Sequence, residues 1–321
     1  MSHILETLLL LALPASGKSE VRKYLAGLSP EACRDEFGIG PTVQLDDYPY
    51  VHLLRRIDDE LVHRGVPRAF FQAADKGLRD GRDWCTLIEL VNEDHADLLC
   101  QRRAEPKSAA RWLFDRIDVA RARFGADVVF ANLPVRVRDH VASAVEKDAR
   151  ALLHDKVAGY PDSLSGKTVV IEFARGGAAG SSMPLAAPYG YLGSVPCLSP
   201  AILERAAVLY IWVTPEESRR KNEARADPND PGSILHHGVP HDVMMNEYGC
   251  DDMEYLIQSS GRPDHLKVSA YGRDYYVPVA RFDNRVDKTS FVRAPKDAWL
   301  PTDVAALHGG LKDAFTRLRR G

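Results

Sequence analysis

The chain has 321 residues and a formal net charge of -3, with 45% hydrophobic and 27% charged residues. That balance is ordinary for a globular protein and leaves room for one large α/β domain or two smaller ones. No basic bias marks nucleic-acid backbone as the main partner, and after the N-terminus no apolar run approaches the roughly 20 residues that span a bilayer.

The N-terminal stretch LLLLALPASGKS reads in two ways, as a secretory leader or as a buried strand feeding a phosphate-binding turn. A leader wants cationic residues ahead of its apolar core, and MSHILET has no Lys or Arg and one Glu. The run leads into Gly17-Lys18-Ser19 and then the helical pattern EVRKYLAGL. Strand, turn and helix are the context a phosphate loop needs. The pattern G-x-x-x-x-G-K-[ST] is met except at its first position, where Ala12 replaces glycine. Backbone amides of Ala15, Ser16, Gly17, Lys18 and Ser19 would wrap a phosphate at the positive end of the helix. Lys18 would reach the β- and γ-phosphates and Ser19 would ligate Mg²⁺. The plain alternative is a G-K-S at a helix start capped by Ser16.

The run LPASGKSE resembles the loop of P-loop kinases for small molecules: adenylate, uridine and polynucleotide kinases and zeta-toxin-like phosphotransferases. The resemblance is strong over the loop and weaker over about half the chain. It implies a three-layer P-loop NTPase fold with a parallel sheet, a helical insertion and a lid. It also implies ATP and Mg²⁺ as cofactors.

Downstream, TVQLDDYPY predicts a strand over 42–45 that ends in two carboxylates, and VHLLRRIDDELVHRG has the spacing of a helix. Residues 60–125 read as a helical insertion: FFQAADKGLRDGRDW, CTLIELVNEDHADLLCQRR and SAARWLFDRIDVARARFG, the last opened by Ser108. DVVFANLP is a strand or a link between helices. VRDHVASAVEKDARALLHDKV is a long helix. KTVVIEFARGG predicts a strand over 168–173 and AVLYIWVTP another over 208–213. PEESRRKNEARA is a helix begun by Pro215, and YYVPVARFDN is the last strand. Apolar strands separated by helices predict a parallel sheet covered on both faces, a single α/β domain over 1–321 without internal repeats. The turn-rich stretch within 226–265 reads as a lid-like excursion. Cys33, Cys85, Cys100, Cys197 and Cys250 are far apart, odd in number and include no C-x-x-C pair. Free thiols in a reducing compartment are therefore expected over a disulfide framework.

In such a sheet ligands gather beyond the C-terminal ends of the strands. Those ends supply Gly17 and Lys18, Asp46 and Asp47, Glu172 and Arg175, and Asp283 and Asn284. The L-D-D-Y run is similar to the D-D-Y or D-S-F-Y element of uridine and polynucleotide kinases. The resemblance places the carboxylate that activates the acceptor on Asp46; DDYP also fits a turn or helix cap. Glu172 stands where such kinases hold Mg²⁺ through water, with an ion pair to Arg175 or Lys18 as the alternative. Arg219, Arg220 and Arg225 lie on a helix resembling the lid segment, where arginines neutralise the transferring phosphoryl group. Helical spacing does not let all three face one site, and a solvated basic helix is the alternative. His236, His237 and His241 lack the paired cysteines of a zinc site and read as an exposed or substrate-contacting cluster. APYGYLG, with Tyr189 and Tyr191, is a substrate loop or packing; ARFDNR contacts adenine or closes the sheet.

The sequence thus predicts a cytoplasmic P-loop kinase that uses ATP and Mg²⁺ and acts on a small polar acceptor. Its rivals are transfer to a nucleic-acid end or a protein, and a non-transferring NTPase switch.

Overall fold

The computed structural model describes residues 4–225 and 238–320. Six strands form one sheet in the order β2-β3-β1-β4-β6-β5. They are β1 (Thr7–Leu11), β2 (Thr42–Asp46), β3 (Thr168–Phe173), β4 (Ala206–Trp212), β5 (His265–Ala270) and β6 (Arg273–Asp283). Five run parallel; β5 is antiparallel to β6. β1, TLLLL, is buried at every position, as a central strand covered on both faces must be.

Alternate residues sort into two apolar layers because successive strand side chains point to opposite faces. Leu8, Leu10, Val170, Leu209 and Phe282 pack with Val21 and Leu25 of helix Lys18–Ala26 and with Leu311 and Phe315 of helix Pro301–Leu318. Leu9, Leu11, Ile171, Val208 and Val279 pack on the other face with Ile88 and Val91 of helix Asp83–Leu99. Helix, sheet and helix make three layers, as expected for an α/β fold. Among the described residues, no helix is long and apolar enough to cross a membrane.

Between β2 and β3, helices Tyr48–His63, Asp83–Leu99, Ala109–Arg123 and Val135–Ala158 enclose a further core that includes Leu54, Ile57, Leu87, Phe114 and Val145. The stretch FFQAADKGLRDGRDW, expected to be helical, is mainly loop. The buried Asp58 carboxylate draws in the amides of Ala69, Phe70 and Phe71 at 2.7, 3.1 and 2.8 Å, which diverts the chain from a helix. The device recurs. Asp118 accepts from Val129, Phe130 and Ala131 at the same three distances. Each unit has Arg-Ile-Asp on a helix, a left-handed glycine seven residues later (Gly65, Gly125) and then a phenylalanine (Phe70, Phe130). This short internal repeat corrects the expectation that there is none. It also makes DVVFANLP a link between helices, with one short helical turn at Phe130–Asn132.

Two further corrections concern the sheet edge and the cysteines. β5 was not expected. It pairs with β6 through the two-residue turn Tyr271-Gly272, whose φ values are 54° and 74°, the left-handed pair of a tight hairpin. Cys85 and Cys197 form a disulfide with Cα atoms 5.7 Å apart, whereas Cys33, Cys100 and Cys250 are free thiols.

Candidate functional site

The strand order reverses direction around β1. The chain leaves β1 for the far edge at β2, returns to β3 beside it, then crosses to β4 on its other side. Such a switch point opens a crevice beyond the strand ends, and residues 12–19 lie there. Ala15 has a φ of 53° and Gly17 a φ of 107°. Helix Lys18–Ala26 begins immediately after, with the Val21 amide donating to the Gly17 carbonyl at 2.9 Å.

The turn is braced from two sides. The Asn284 side-chain amide, fully buried after β6, donates to the Ser16 carbonyl at 2.7 Å and to Thr289 Oγ1 at 3.0 Å. The Ser218 hydroxyl donates to the Pro14 carbonyl at 2.7 Å. A Cβ at Gly17 would sit 2.5 Å from Thr289 Oγ1, so glycine is needed there for space as well as for φ. The residue Asn284 of ARFDNR therefore closes the sheet against the turn.

Lys18 curls back over the turn. Its Nζ donates to the carbonyls of Ala12 and Leu13, each at 3.3 Å. The Ser16 hydroxyl is buried, with no hydrogen-bond partner among the described residues. A lysine ammonium, a hydroxyl and the first amides of a helix thus all belong to residues 16–19, groups of the kind that bind an anionic phosphate chain. Ser19, the second residue of that helix, is half-buried and carries a hydroxyl suited to Mg²⁺. Among the described residues no group of three or more His, Cys, Asp or Glu is arranged to hold a metal ion. A divalent ion held mainly by phosphate oxygens needs no such group.

The two aspartates after β2 part company. Asp46 lies beside Glu172 in the β2–β3 register. Its Oδ1 accepts the Tyr48 amide at 2.8 Å, capping the next helix, and its Oδ2 is 4.0 Å from Arg22 Nη1. Arg22 donates to Glu172 at 2.6 Å. Glu172 thus has Arg22 as its ion-pair partner through Oε2, in place of Arg175 or Lys18. Desolvation, then the charges of Glu172 and Asp47, push the Asp46 carboxyl well up. About a third of its side chain stays exposed.

Asp47 points the other way and is buried. It receives Arg175 Nη1 at 2.7 Å. Burial raises its carboxyl, and the nearby charges of Arg175 and Lys18 oppose that rise. Arg175 is 1% exposed. It also donates to Ser194 Oγ and the Trp84 carbonyl, and its guanidinium lies 4.5 Å from the Trp84 ring centroid. Sequence reasoning gave Arg22 no role. The available signal was its position one helical turn after Lys18.

On helix Pro215–Arg225, Arg219 pairs with Glu216 at 3.0 Å, and Arg220 pairs with Glu217 at 2.7 Å. The buried cation there is Lys221, which meets Asp287 at 2.8 Å and ties the helix to the loop after β6. The Arg225 side chain, His236, His237 and part of the lid-like stretch 226–265 lie outside the described residues. His241 opens the short helix His241–Asn246 and is exposed. In APYGYLG, Tyr191 is fully buried in the core beside Phe173, so that residue is packing.

Glu247 also borders this region. It accepts the Leu78 amide at 2.8 Å, and burial pushes its carboxyl up to about 7. Its unfolded value lies near 4.3, so the native state holds the proton more tightly. Its stabilising contribution is complete below the unfolded value and is lost as pH rises through about 7. Glu247→Gln keeps an oxygen for Leu78 but removes the ionisation. It is expected to raise stability at pH ~8 by roughly 1–3 kcal/mol, with little effect at pH ~4. Calorimetric melting at the two pH values checks this.

Comparison with family models, curated proteins and solved structures finds no match to this chain.

Proposed function

We propose that the protein is an ATP-dependent phosphotransferase of the P-loop kinase type. It moves the γ-phosphoryl group of ATP to a hydroxyl or phosphate of a small polar acceptor such as a nucleoside, nucleotide or sugar derivative. One observation carries the reading: the buried Lys18 and the αL Gly17 stand at the strand-order reversal, with the Asp46 and Asp47 carboxylates on the same rim.

In this reading the amides of Ala15–Ser19 and the Lys18 ammonium bind the phosphates, and Ser19 takes Mg²⁺. Asp46 accepts the proton of the acceptor hydroxyl. It is the more exposed of the two aspartates; its carboxyl is pushed up to about 8, so it takes the base role as pH rises toward and past that value. Asp47 and Arg175 hold the floor beneath it. Arg219 and Arg220 exchange their glutamate partners for phosphate when the site fills.

A panel of nucleosides, nucleotides and sugars with labelled ATP tests the proposal. Asp46→Ala is expected to lower transfer by about 10²–10⁴-fold, the usual worth of a positioned acid or base, and to leave ATP affinity nearly unchanged. Fast ATP hydrolysis without acceptor, unaffected by Asp46→Ala, would instead identify an NTPase switch.

A further inference from the structure

Glu247 is 7% exposed and follows helix His241–Asn246, in a loop that the Gly249 amide ties to the Gly177 carbonyl at 2.9 Å. Its Oε1 accepts the Leu78 amide at 2.8 Å. Its Oε2 has no hydrogen-bond partner among the described residues, and it is not sealed from solvent as the Ser16 hydroxyl is. Two half-buried tyrosines lie within reach of its charge, Tyr248 next in the chain and Tyr189 from the loop after β3. Their hydroxyls are also unpartnered among the described residues and open to solvent. The facing loop carries glycine where these side chains approach. A Cβ at Gly77 would collide with the Glu247 carboxylate, and one at Gly81 would sit 2.7 Å from Pro188 Cγ and 3.5 Å from Tyr189 Cζ. Arg175 links this place to the phosphate rim. It pairs with Asp47 at 2.7 Å and lies 4.5 Å from the Trp84 ring centroid, and that ring meets Tyr248 edge-on with centroids 6.0 Å apart.

We propose that Glu247, flanked by Tyr189 and Tyr248, binds a primary ammonium group on the phosphoryl acceptor, which makes the acceptor an amino alcohol or amino sugar. A carboxylate so far out of water is costly without a matching cation. The two cations that act on it, Arg55 and Arg175, are engaged elsewhere: Arg55 Nη1 and Nη2 donate to the Ala74 and Lys76 carbonyls at 2.9 and 3.2 Å, and Arg175 is matched by Asp47. An ammonium brings the missing charge and three N–H donors, for Oε2 and the phenol oxygens. Aromatic faces attract the same group. A neutral hydroxyl would fill Oε2 with one hydrogen bond and leave the charge unmatched, and an anion would add a like charge. That the carrier of the amine accepts phosphate rests on the kinase reading; the binding of the ammonium does not.

The test uses the full chain with fluorinated tyrosine and three probes of similar shape: 2-aminocyclohexanol, 1,2-cyclohexanediol and 2-hydroxycyclohexanecarboxylate. It is run without ATP at pH ~8, above the value of about 7 to which burial raises Glu247, so that the carboxylate is ionised. The amino alcohol is expected to shift the Tyr189 and Tyr248 resonances saturably. It should bind about tenfold more tightly than the diol, the worth of one charge-assisted hydrogen bond. The carboxylate probe should bind most weakly. Glu247→Gln keeps an oxygen for Leu78 and should erase the advantage of the amine over the diol, while its melting temperature shows that the fold persists. No saturable shift at the two tyrosines, equal affinity of amine and diol, or a preference for the amine that survives Glu247→Gln would overturn the proposal. Because the titrations contain no ATP, their failure strikes the ammonium site, whereas absence of transfer in the acceptor panel strikes the kinase reading.

Discussion

Lys18→Ala is expected to lower ATP affinity by about a hundredfold and phosphoryl transfer by a further 10²–10³-fold, the range seen when a preorganised charge is removed from a developing anion. The ammonium is positioned in advance. It is 8% exposed and already bent over the turn, so phosphate can replace the Ala12 and Leu13 carbonyls with little reorganisation. The ammonium trades neutral carbonyl acceptors for anionic phosphate oxygens, which adds charge–charge attraction to the hydrogen bonds, so the exchange favours the nucleotide. The bonds to the Ala12 and Leu13 carbonyls are long, at 3.3 Å, and their own loss should cost the free protein little stability. Titration calorimetry with ATP, set beside the melting temperature without it, separates the two effects. Unchanged ATP affinity in Lys18→Ala would place the nucleotide elsewhere and remove the basis of the proposed function.

The parts of this site that the sequence reveals are the local ones. TLLLL, the Gly17-Lys18-Ser19 turn and the helix after it are contiguous, so composition and order suffice to read them. β3 emerges at its predicted limits because a β-branched apolar run between glycines has few other uses. The partners of the charged groups are not local. Arg22 and Glu172 are 150 residues apart, and only the β2–β3–β1 register brings them under one helix. Asp46 and Asp47 part because β2 ends at Asp46 and the backbone turns at Asp47 into helix Tyr48–His63, the turn that DDYP suggests. The loop after Asp58 has the charged, alanine-containing composition of a helix, while one buried carboxylate overrides that preference by binding three amides. β5 lacks the Asn-Gly turn that usually announces a hairpin, and half its residues carry polar side chains. The Cys85–Cys197 pair spans 112 residues, and spacing alone does not reveal connectivity.

The second large effect is on stability. Arg175→Met is expected to destabilise the fold by about 3–5 kcal/mol, because it leaves a buried carboxylate without its cation. Asp47 is 5% exposed and has Arg175 as its short ion-pair partner at 2.7 Å. Burial already raises the Asp47 carboxyl against the opposing charge of Arg175. Without the guanidinium it rises further. A carboxyl raised in the native state favours folding at low pH and loses that contribution as pH climbs through its folded value. The Arg175→Met variant should therefore be closer to the parent at pH ~5 than at pH ~8. Asp47→Asn in the same chain should recover part of the loss at pH ~8, since it removes the stranded charge. Recovery should be incomplete, because Ser194 Oγ and the Trp84 carbonyl still lose their donor and the Trp84 ring its cation. Urea midpoints of the two single variants and the double at both pH values decide the matter. If single and double variants are equally unstable at every pH, Arg175 acts through packing and backbone hydrogen bonds, and Asp47 carries no charge that needs it.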